Sequence, residues 1–228
     1  RLEVIMEHHP KHKFAGFAAA TLFDANYRLR RWDQMERWAR YMLERKNYQV
    51  LKKDQLQDVI AVSINNYATE LKEKGAEATK GGKAEEGSAL KMKAVGEWMR
   101  FVDEFGREKK QQDKAAIAMF NAAATTEELE QTEKANDLYE SLIKRFPKAP
   151  QSTEAHFVLG ALYESQTDFE KAATYFEKMA SFPDVPQMAD ALFNAGAIRG
   201  ALEQYPNAIE IFETYVKKFP TRDDTRDV

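Results

Sequence analysis

Alanine and aromatic residues recur at a nearly constant spacing along the second half of the chain. Three alanines lie 37 and 36 residues apart, and each is followed four residues later by an aromatic residue; the pairs are Ala135 and Tyr139, Ala172 and Phe176, and Ala208 and Phe212. Residues four apart lie on one face of a helix. Because a period of about 20 to 50 residues is typical of stacked repeats, the pattern predicts a repeated helical unit.

A second apolar pattern precedes each of these alanines. It contains Leu159-Gly160 with Tyr163 in one unit, and Ala195-Gly196 and Ala122-Ala123 in the others. Small residues let two antiparallel helices approach closely, with a large side chain of one helix facing glycine or alanine of the other. The units end near Phe-Pro pairs, namely Phe146-Pro147, Phe182-Pro183 and Phe219-Pro220. Since proline disfavours helix at and before its own position, each unit is predicted to be a helical hairpin.

The middle unit resembles a known repeat family. Its residues Leu159, Gly160, Tyr163, Phe169, Ala172, Phe176 and Pro183 match the tetratricopeptide signature, which has a period of about 34 residues. The resemblance implies an all-α fold, a right-handed superhelical solenoid of antiparallel helix pairs, here over residues 1–228. The Arg-Phe-Pro and Lys-Phe-Pro ends also look like those of bacterial cell-envelope members, the outer-membrane assembly lipoproteins and the Tol-Pal coordinator type.

The expected repeats divide the chain into successive segments. Residues 1–10 resemble the end of a preceding repeat, 11–48 a degenerate repeat with Met35 in the alanine position, and 54–106 a repeat recognised by Ala94, Trp98 and Phe105. Residues 115–148, 153–184 and 189–221 are three clearer repeats, and 222–228 are a tail. The segment 73–89 contains Gly75, Gly81, Gly82 and Gly87 among lysines and glutamates, which predicts an inserted, poorly ordered loop. Since no initiating methionine or signal peptide is present, the sequence is expected to be part of a longer chain.

Charge is distributed unevenly along a chain whose net charge is −3. Residues 1–114 contain 23 basic and 18 acidic residues, a net charge of +5, whereas 115–228 contain 11 and 19, a net charge of −8. The first half is therefore expected to prefer acidic partners and the second half basic ones. Cysteine is absent, which excludes disulfides, zinc-thiolate sites and thiol catalysis in this segment.

The family resemblance implies a partner-binding concave surface lined by the first helix of each hairpin. The residues expected there are Phe120, Phe157, Phe193, Asn121, Asn194 and either Asn65 or Asn66. In other tetratricopeptide proteins an asparagine at this position pairs with the backbone of the ligand, and an amide offers the donor and the acceptor that this requires. The alternative is that these asparagines bond to neighbouring helices or water. Tyr139, Phe176, Phe212 and Trp98 are expected in the core.

Two other clusters suggest different chemistry. Arginines at 28, 30, 31, 37 and 40 alternate with aromatic residues, a mixture that can bind nucleic acid, but Glu36 beside them favours an ion-paired helix face. The sequence His8-His9-Pro10-Lys11-His12 contains the only histidine cluster, and its spacing matches no recognised metal site. No catalytic motif is present.

These observations predict a non-catalytic scaffold that binds a protein or peptide segment and has no cofactor and no metal. Neither nucleic-acid binding nor membrane insertion of this segment is expected, and the oligomeric state is not predicted. The resemblance places it in the periplasm or cell envelope of a bacterium, with the cytoplasm as the alternative. Two alternative functions stay open: a helical accessory region of a larger cell-wall-active enzyme, or a module that binds glycan or nucleic acid.

Overall fold

The structure, a computed structural model, describes residues 2–45, 51–182 and 185–222, and these residues form helices without any strand. The predicted all-α fold is therefore confirmed. The chain forms two compact units, residues 1–125 (unit 1) and 126–228 (unit 2). The single array expected over 1–228 stays a prediction.

Unit 1 contains six helices, the last of which continues to residue 128. They are α1 (Leu2–His8), α2 (Ala15–Arg28), α3 (Trp32–Glu44), α4 (Lys53–Lys80), α5 (Ala84–Phe105) and α6 (Gln112–Glu128), with a short 3-10 helix at Lys109–Gln111 before α6. From α1 to α5 each helix packs on its neighbour in sequence, and α4 and α5 form the most extensive pair.

Unit 2 contains five further helices that pack in sequence order. They are α7 (Thr132–Arg145), α8 (Pro150–Ser165), α9 (Phe169–Lys178), α10 (Met188–Ala201) and α11 (Tyr205–Lys218), with a 3-10 turn at Met179–Ser181 after α9. Helix α8 packs on α7 and α9, and α10 packs on α9 and α11. Two of the predicted helix ends are confirmed, because α7 stops before Phe146-Pro147 and α11 before Phe219-Pro220. Pro183 lies outside the described residues.

One type of turn follows α2, α4, α6, α8 and α10. Its middle residue has a positive φ: 52° at Arg30, 80° at Gly82, 59° at Glu130, 62° at Thr167 and 59° at Glu203. The next amide then donates a hydrogen bond to the carbonyl five residues earlier, at 2.8 to 3.2 Å. This is the Schellman arrangement that ends a helix and reverses the chain. The helices α4 and α5 therefore form a hairpin of the same kind as the others, with longer arms.

The prediction of an inserted, poorly ordered loop at residues 73–89 is wrong. Residues 73–80 continue α4, and residues 84–89 begin α5. A Cβ on Gly75 would lie 2.8 Å from the carbonyl oxygen of Gly87, and a Cβ on Gly87 would lie 2.7 Å from that of Gly75. Glycine therefore serves here to let the two backbones touch, rather than to make the chain irregular.

The small and large residues of the repeat pattern meet as predicted. Ala135 and Ala172 are 0% exposed, and Trp98, Tyr139 and Phe176 are at most 1% exposed. A Cβ on Gly160 would lie 2.6 Å from the ring of Phe176, and one on Gly196 would lie 2.6 Å from the ring of Phe212. Phe212 differs from its equivalents because it is only half-buried, so its predicted place in the core is wrong in part.

Candidate functional site

The first helices of the two complete hairpins in unit 2, α8 and α10, expose matching rows of side chains. Residues three or four apart share a helix face, and here the rows are Glu154, Val158, Ala161 and Ser165 on α8, and Asp190, Asn194, Ala197 and Ala201 on α10. Corresponding members lie 36 residues apart. Because α8 and α10 hold equivalent places in consecutive hairpins, we treat the rows as one surface, the α8/α10 face.

Small side chains dominate this face. Ala161, Ser165, Ala197 and Ala201 are all exposed. On the adjoining side of α10, a Cβ added to Gly200 would meet nothing within 4 Å. A surface without projecting side chains allows another backbone to approach closely.

The predicted phenylalanines of unit 2 border the face and are half-buried. Phe157 contacts Phe176 edge to face, with ring centroids 5.6 Å apart. Phe193 contacts Phe212 at 6.2 Å and Tyr215 at 6.1 Å. These rings therefore help to join the two helices of their hairpins and expose only a part of their surface.

The predicted asparagine of unit 2, Asn194, lies in the middle of the α10 row. Its side chain is half-exposed, and among the residues that the structure describes it has no hydrogen-bonding partner. The amide is thus available to a ligand. This position agrees with the predicted role, which stays a prediction.

The other predicted residues belong to unit 1. Phe120 and Asn121 are half-buried on α6, and Asn65 is half-buried on α4, where its carbonyl accepts a hydrogen bond from the Thr69 hydroxyl at 3.0 Å. Unit 2 therefore contains three of the six predicted residues, namely Phe157, Phe193 and Asn194.

A buried arginine fixes α10 against α9. Arg199 donates hydrogen bonds to Glu177 at 2.5 Å and to Glu170 at 2.6 Å, and its side chain is only 9% exposed. The hydrogen bond to Glu177 raises the pKa of Arg199. Burial, the next largest influence, lowers this pKa but does not reverse the shift. No local pattern in the sequence indicated this group, because its acidic partners lie 22 and 29 residues away.

A tyrosine pair holds three helices of unit 2 together on the buried side of α8. The hydroxyls of Tyr163 and Tyr175 donate to the same oxygen of Glu140, at 2.7 and 2.9 Å, and their rings stack 5.6 Å apart. Burial, and then the hydrogen bond to Glu140, raises the pKa of both hydroxyls. These groups are structural, because each of them is held by its neighbours.

Unit 1 contains a cleft that sequence reasoning missed. It has a volume of about 380 Å³ and lies between the α2–α3 turn and α4; its lining residues are Tyr27, Arg28, Arg30, Trp32, Asn66, Thr69, Glu70 and Glu73. Within it, the Trp32 indole donates to Glu70 at 2.6 Å, and Lys74 pairs with Glu70 at 2.6 Å. Burial raises the pKa of Glu70, but the hydrogen bonds from Lys74 and Trp32 outweigh it and leave the pKa lowered.

The arginine-rich segment of unit 1 forms the ion-paired helix face that the position of Glu36 among the arginines predicts. Glu36 accepts hydrogen bonds from Arg40 at 2.8 Å and from Arg100 at 2.5 Å. Trp38 is only 1% exposed. Its ring is therefore part of the core and offers no platform for stacking a base.

Two further findings concern the described residues alone. They contain no group of three or more His, Asp or Glu side chains placed to hold a metal ion. None of their helices combines the length and apolar character required to cross a membrane.

Family models described as tetratricopeptide repeat match residues 127–186 and 190–222. Both ranges lie in unit 2, which therefore carries tetratricopeptide repeats. No curated protein matches the sequence.

Solved structures with a similar helical architecture include BtubC (BKLC) from P. vanneervenii, with 18% identity, a TM-score of 0.49, and coverage of 95% of this chain and 84% of that one. Another is the MamA protein, with 15% identity, a TM-score of 0.46, and coverage of 92% and 94%.

Proposed function

We propose that the protein is a non-catalytic interaction scaffold whose α8/α10 face binds an extended segment of a partner protein. The observation that carries the proposal is the pair of matching exposed rows, in which small side chains surround an unpaired amide. The tetratricopeptide repeats of unit 2 support it, since such stacked hairpins present open surfaces for partner segments.

Each part of the face has a distinct role in this proposal. Ala161, Ala197 and Ala201 let the partner backbone come into contact with the helices. Asn194 then donates to a backbone carbonyl and accepts from a backbone amide. The exposed edges of Phe157 and Phe193 contact apolar side chains of the partner.

Acidic groups favour a basic partner segment. Glu154 and Asp190 begin the two rows, and residues 126–228 carry 11 basic and 19 acidic residues, a net charge of −8. Attraction of opposite charges speeds association and selects among partners, and it weakens with added salt. A partner segment with lysine or arginine beside its apolar residues fits this surface best.

The cellular setting is a further part of the proposal. The Lys-Phe-Pro and Arg-Phe-Pro ends of the repeats, similar to those of bacterial envelope proteins, support a partner within an envelope complex. Fractionation of the native source, with the protein followed by antibody, tests it; a purely cytoplasmic protein contradicts it.

The test of the binding face begins with a photo-crosslinking amino acid at Ala197, introduced into the protein in its native host, so that the crosslinked peptide identifies the partner segment. Affinity for that peptide is then measured by calorimetry. Asn194→Ala is expected to weaken binding about 2- to 12-fold, the equivalent of a hydrogen bond worth about 0.5 to 1.5 kcal/mol. Ala197→Arg is expected to weaken it more, because the long side chain covers the face.

The matched control is Ala89→Arg, the same change at an exposed alanine of α5 in unit 1. It should leave the affinity unchanged. If Ala197→Arg binds the peptide as the unaltered protein does, the α8/α10 face is not the binding site.

A further inference from the structure

Unit 2 contains a pocket on the side of α10 that points away from the α8/α10 face. This α9/α11 pocket has a volume of about 240 Å³ and is lined by residues of α9, α10 and α11 and of the turn after α9. Its lining residue on α10 is Leu192, which lies two positions, or about 200° around the helix, from Asn194. The pocket is therefore separate from the surface proposed above.

Helix α11 forms one wall of the α9/α11 pocket. The lining residues on this helix are Asn207, Glu210, Ile211 and Thr214, whose intervals of three, one and three residues place them on one side of it. Asn207 and Glu210 are exposed, so the pocket opens at the surface. Among the residues that the structure describes, neither of these two side chains has a hydrogen-bonding or ion-pairing partner.

Helix α9 adds a second carboxylate to the lining. Glu177 accepts a hydrogen bond from the buried Arg199 at 2.5 Å, which fixes its position. The side chains of Leu192 and Ile211 supply the apolar part of the lining. The pocket thus combines an apolar surface with two carboxylates and an amide.

The chain itself fills the equivalent groove one repeat earlier. The residues 36 positions before Leu192, Ile211 and Thr214 are His156, Tyr175 and Lys178. The Tyr175 ring lies 6.0 Å from the His156 ring, and the Lys178 ammonium lies over the Tyr175 ring, 4.6 Å from its centroid. In that groove the chain supplies its own aromatic ring and its own cation.

Shorter side chains open the groove between α9 and α11, because isoleucine and threonine replace the tyrosine and the lysine of the earlier repeat. The charge changes as well. Glu177 and Glu210 occupy positions that are Ser141 and Thr174 one repeat earlier. The second groove has therefore lost a cation of its own and gained two anions.

We propose that the α9/α11 pocket binds a lysine side chain of a partner protein, which takes the place that Lys178 holds one repeat earlier. The alkyl chain of the bound lysine packs on Leu192 and Ile211, as lysine stems do on apolar surfaces. Its ammonium has three N–H donors, and the acceptors around it are the two carboxylates and the amide oxygen of Asn207. Because the pocket opens at the surface, the side chain enters while its backbone stays outside.

One lysine of the chain lies beside the pocket. Lys218 donates to the carbonyl oxygen of Ala180, a lining residue, at 3.1 Å. It follows Glu210 by eight residues, or about 12 Å along α11. The bound ammonium therefore lies toward Glu210, where the repulsion from Lys218 is weakest and the opposite charge is close.

NMR titration of the ¹⁵N-labelled chain with the peptide Ac-Gly-Lys-Gly-NH₂ tests the proposal. Amide signals of α9 and α11 that border the pocket are expected to shift and to saturate, with a dissociation constant that rises with added salt. The same peptide with glutamine in place of lysine controls for the backbone and should give no saturating shifts there. If the lysine peptide gives none either, or if the two peptides bind alike, the proposal is wrong.

Two variants of α11 separate the pocket from the net charge. Glu210→Gln is expected to weaken binding of the lysine peptide about 5-fold, the upper value for an ion pair that is open to solvent. Glu213→Gln removes the same charge from an exposed residue one turn away, outside the lining, and should change the affinity much less. Equal effects of the two variants overturn the proposal, because the peptide then responds to overall charge alone.

Thr214→Lys restores the arrangement of the earlier repeat within the pocket. The longer side chain is expected to cover Ile211, as Lys178 covers Tyr175, and to weaken binding of the lysine peptide more than tenfold. Thr214 is only half-buried, so this variant keeps the helical circular dichroism of the parent. A folded Thr214→Lys chain that binds the peptide with the parent affinity overturns the proposal.

Discussion

The contact between Gly160 and Phe176 allows a quantitative test of how the hairpins of unit 2 are built. Gly160 lies inside α8, and a methyl group there would lie 2.6 Å from Cδ1 and Cε1 and 2.8 Å from Cζ of the Phe176 ring. Ordinary carbon contacts lie at about 3.5 to 4.0 Å. Phe176 is 0% exposed, so its ring has to move by nearly 1 Å within a packed core.

Two effects of opposite sign decide the stability of Gly160→Ala. Alanine in a helix interior is more favourable than glycine by about 1 kcal/mol. Overpacking of a core costs about 1 to 3 kcal/mol, and a clash with three ring atoms of a wholly buried side chain belongs at the upper end. The net loss is therefore about 2 kcal/mol, equivalent to a melting temperature lower by about 4 to 8 °C in a chain of this size.

Two matched glycines separate these effects. At Gly96, inside α5, a Cβ would meet nothing within 4 Å, so Gly96→Ala should stabilise by about 0.5 to 1 kcal/mol. Gly196→Ala meets the ring of Phe212, which is half-buried and can yield, so its loss should be smaller than that of Gly160→Ala.

The melting temperature of each variant is followed by circular dichroism. Hydrogen exchange of α8 and α9 peptides then locates the change, because a chain with two units need not unfold in one step. The expected order of stability is Gly96→Ala, the parent, Gly196→Ala and Gly160→Ala. If Gly160→Ala melts as high as Gly96→Ala, the close approach of α8 and α9 at this glycine is refuted.

Two further predictions concern the α8–α9 hairpin. Thr167 has a φ of 62°, a left-handed conformation that costs a β-branched residue about 1 to 2 kcal/mol. Thr167→Gly should therefore raise the unfolding free energy by about 1 kcal/mol. Urea unfolding measures this change, and Thr167→Ala should raise the unfolding free energy by less. Burial lowers the pKa of His156, whose Nδ1–H donates to the Ser152 carbonyl at 2.7 Å. Because the unfolded chain takes up this proton more readily, the stability that neutral His156 contributes is complete above a pH of about 6.5 and is lost as the pH falls through the lower folded pKa. Unfolding measured at pH 7.5 and pH 5 should show this loss in the parent and less of it in His156→Gln, and an equal loss in both would count against it.

Local features of the sequence were sufficient to predict the helical hairpins of unit 2. The four-residue interval from Ala172 to Phe176 reflects a contact between helices that are adjacent in the chain. Gly160 reflects a contact of the same kind. Such contacts recur with the repeat, so they appear as a period. Phe-Pro ends are local as well, because proline acts on its own and the preceding residue.

The binding surface was predictable only in outline. The repeat frame assigned Asn194 to the partner-binding surface, a role that stays a prediction, but it gave no indication that Phe193 and Phe157 would be half-buried against aromatic residues of the second helices. The unit 1 cleft was not predictable, since Trp32 and Glu70 are 38 residues apart and follow no period.

Tertiary contacts decided the features in which the same residue types had different outcomes. The composition around Gly75 and Gly87 predicts a loop, yet these glycines lie where the backbones of α4 and α5 touch. Phe176 and Phe212 hold the same place in their repeats, yet only the first is wholly buried; among the described residues α9 packs on both α8 and α10, whereas α11 packs on α10. Helix formation depends on neighbours within a few residues, whereas burial depends on which surface another part of the protein covers.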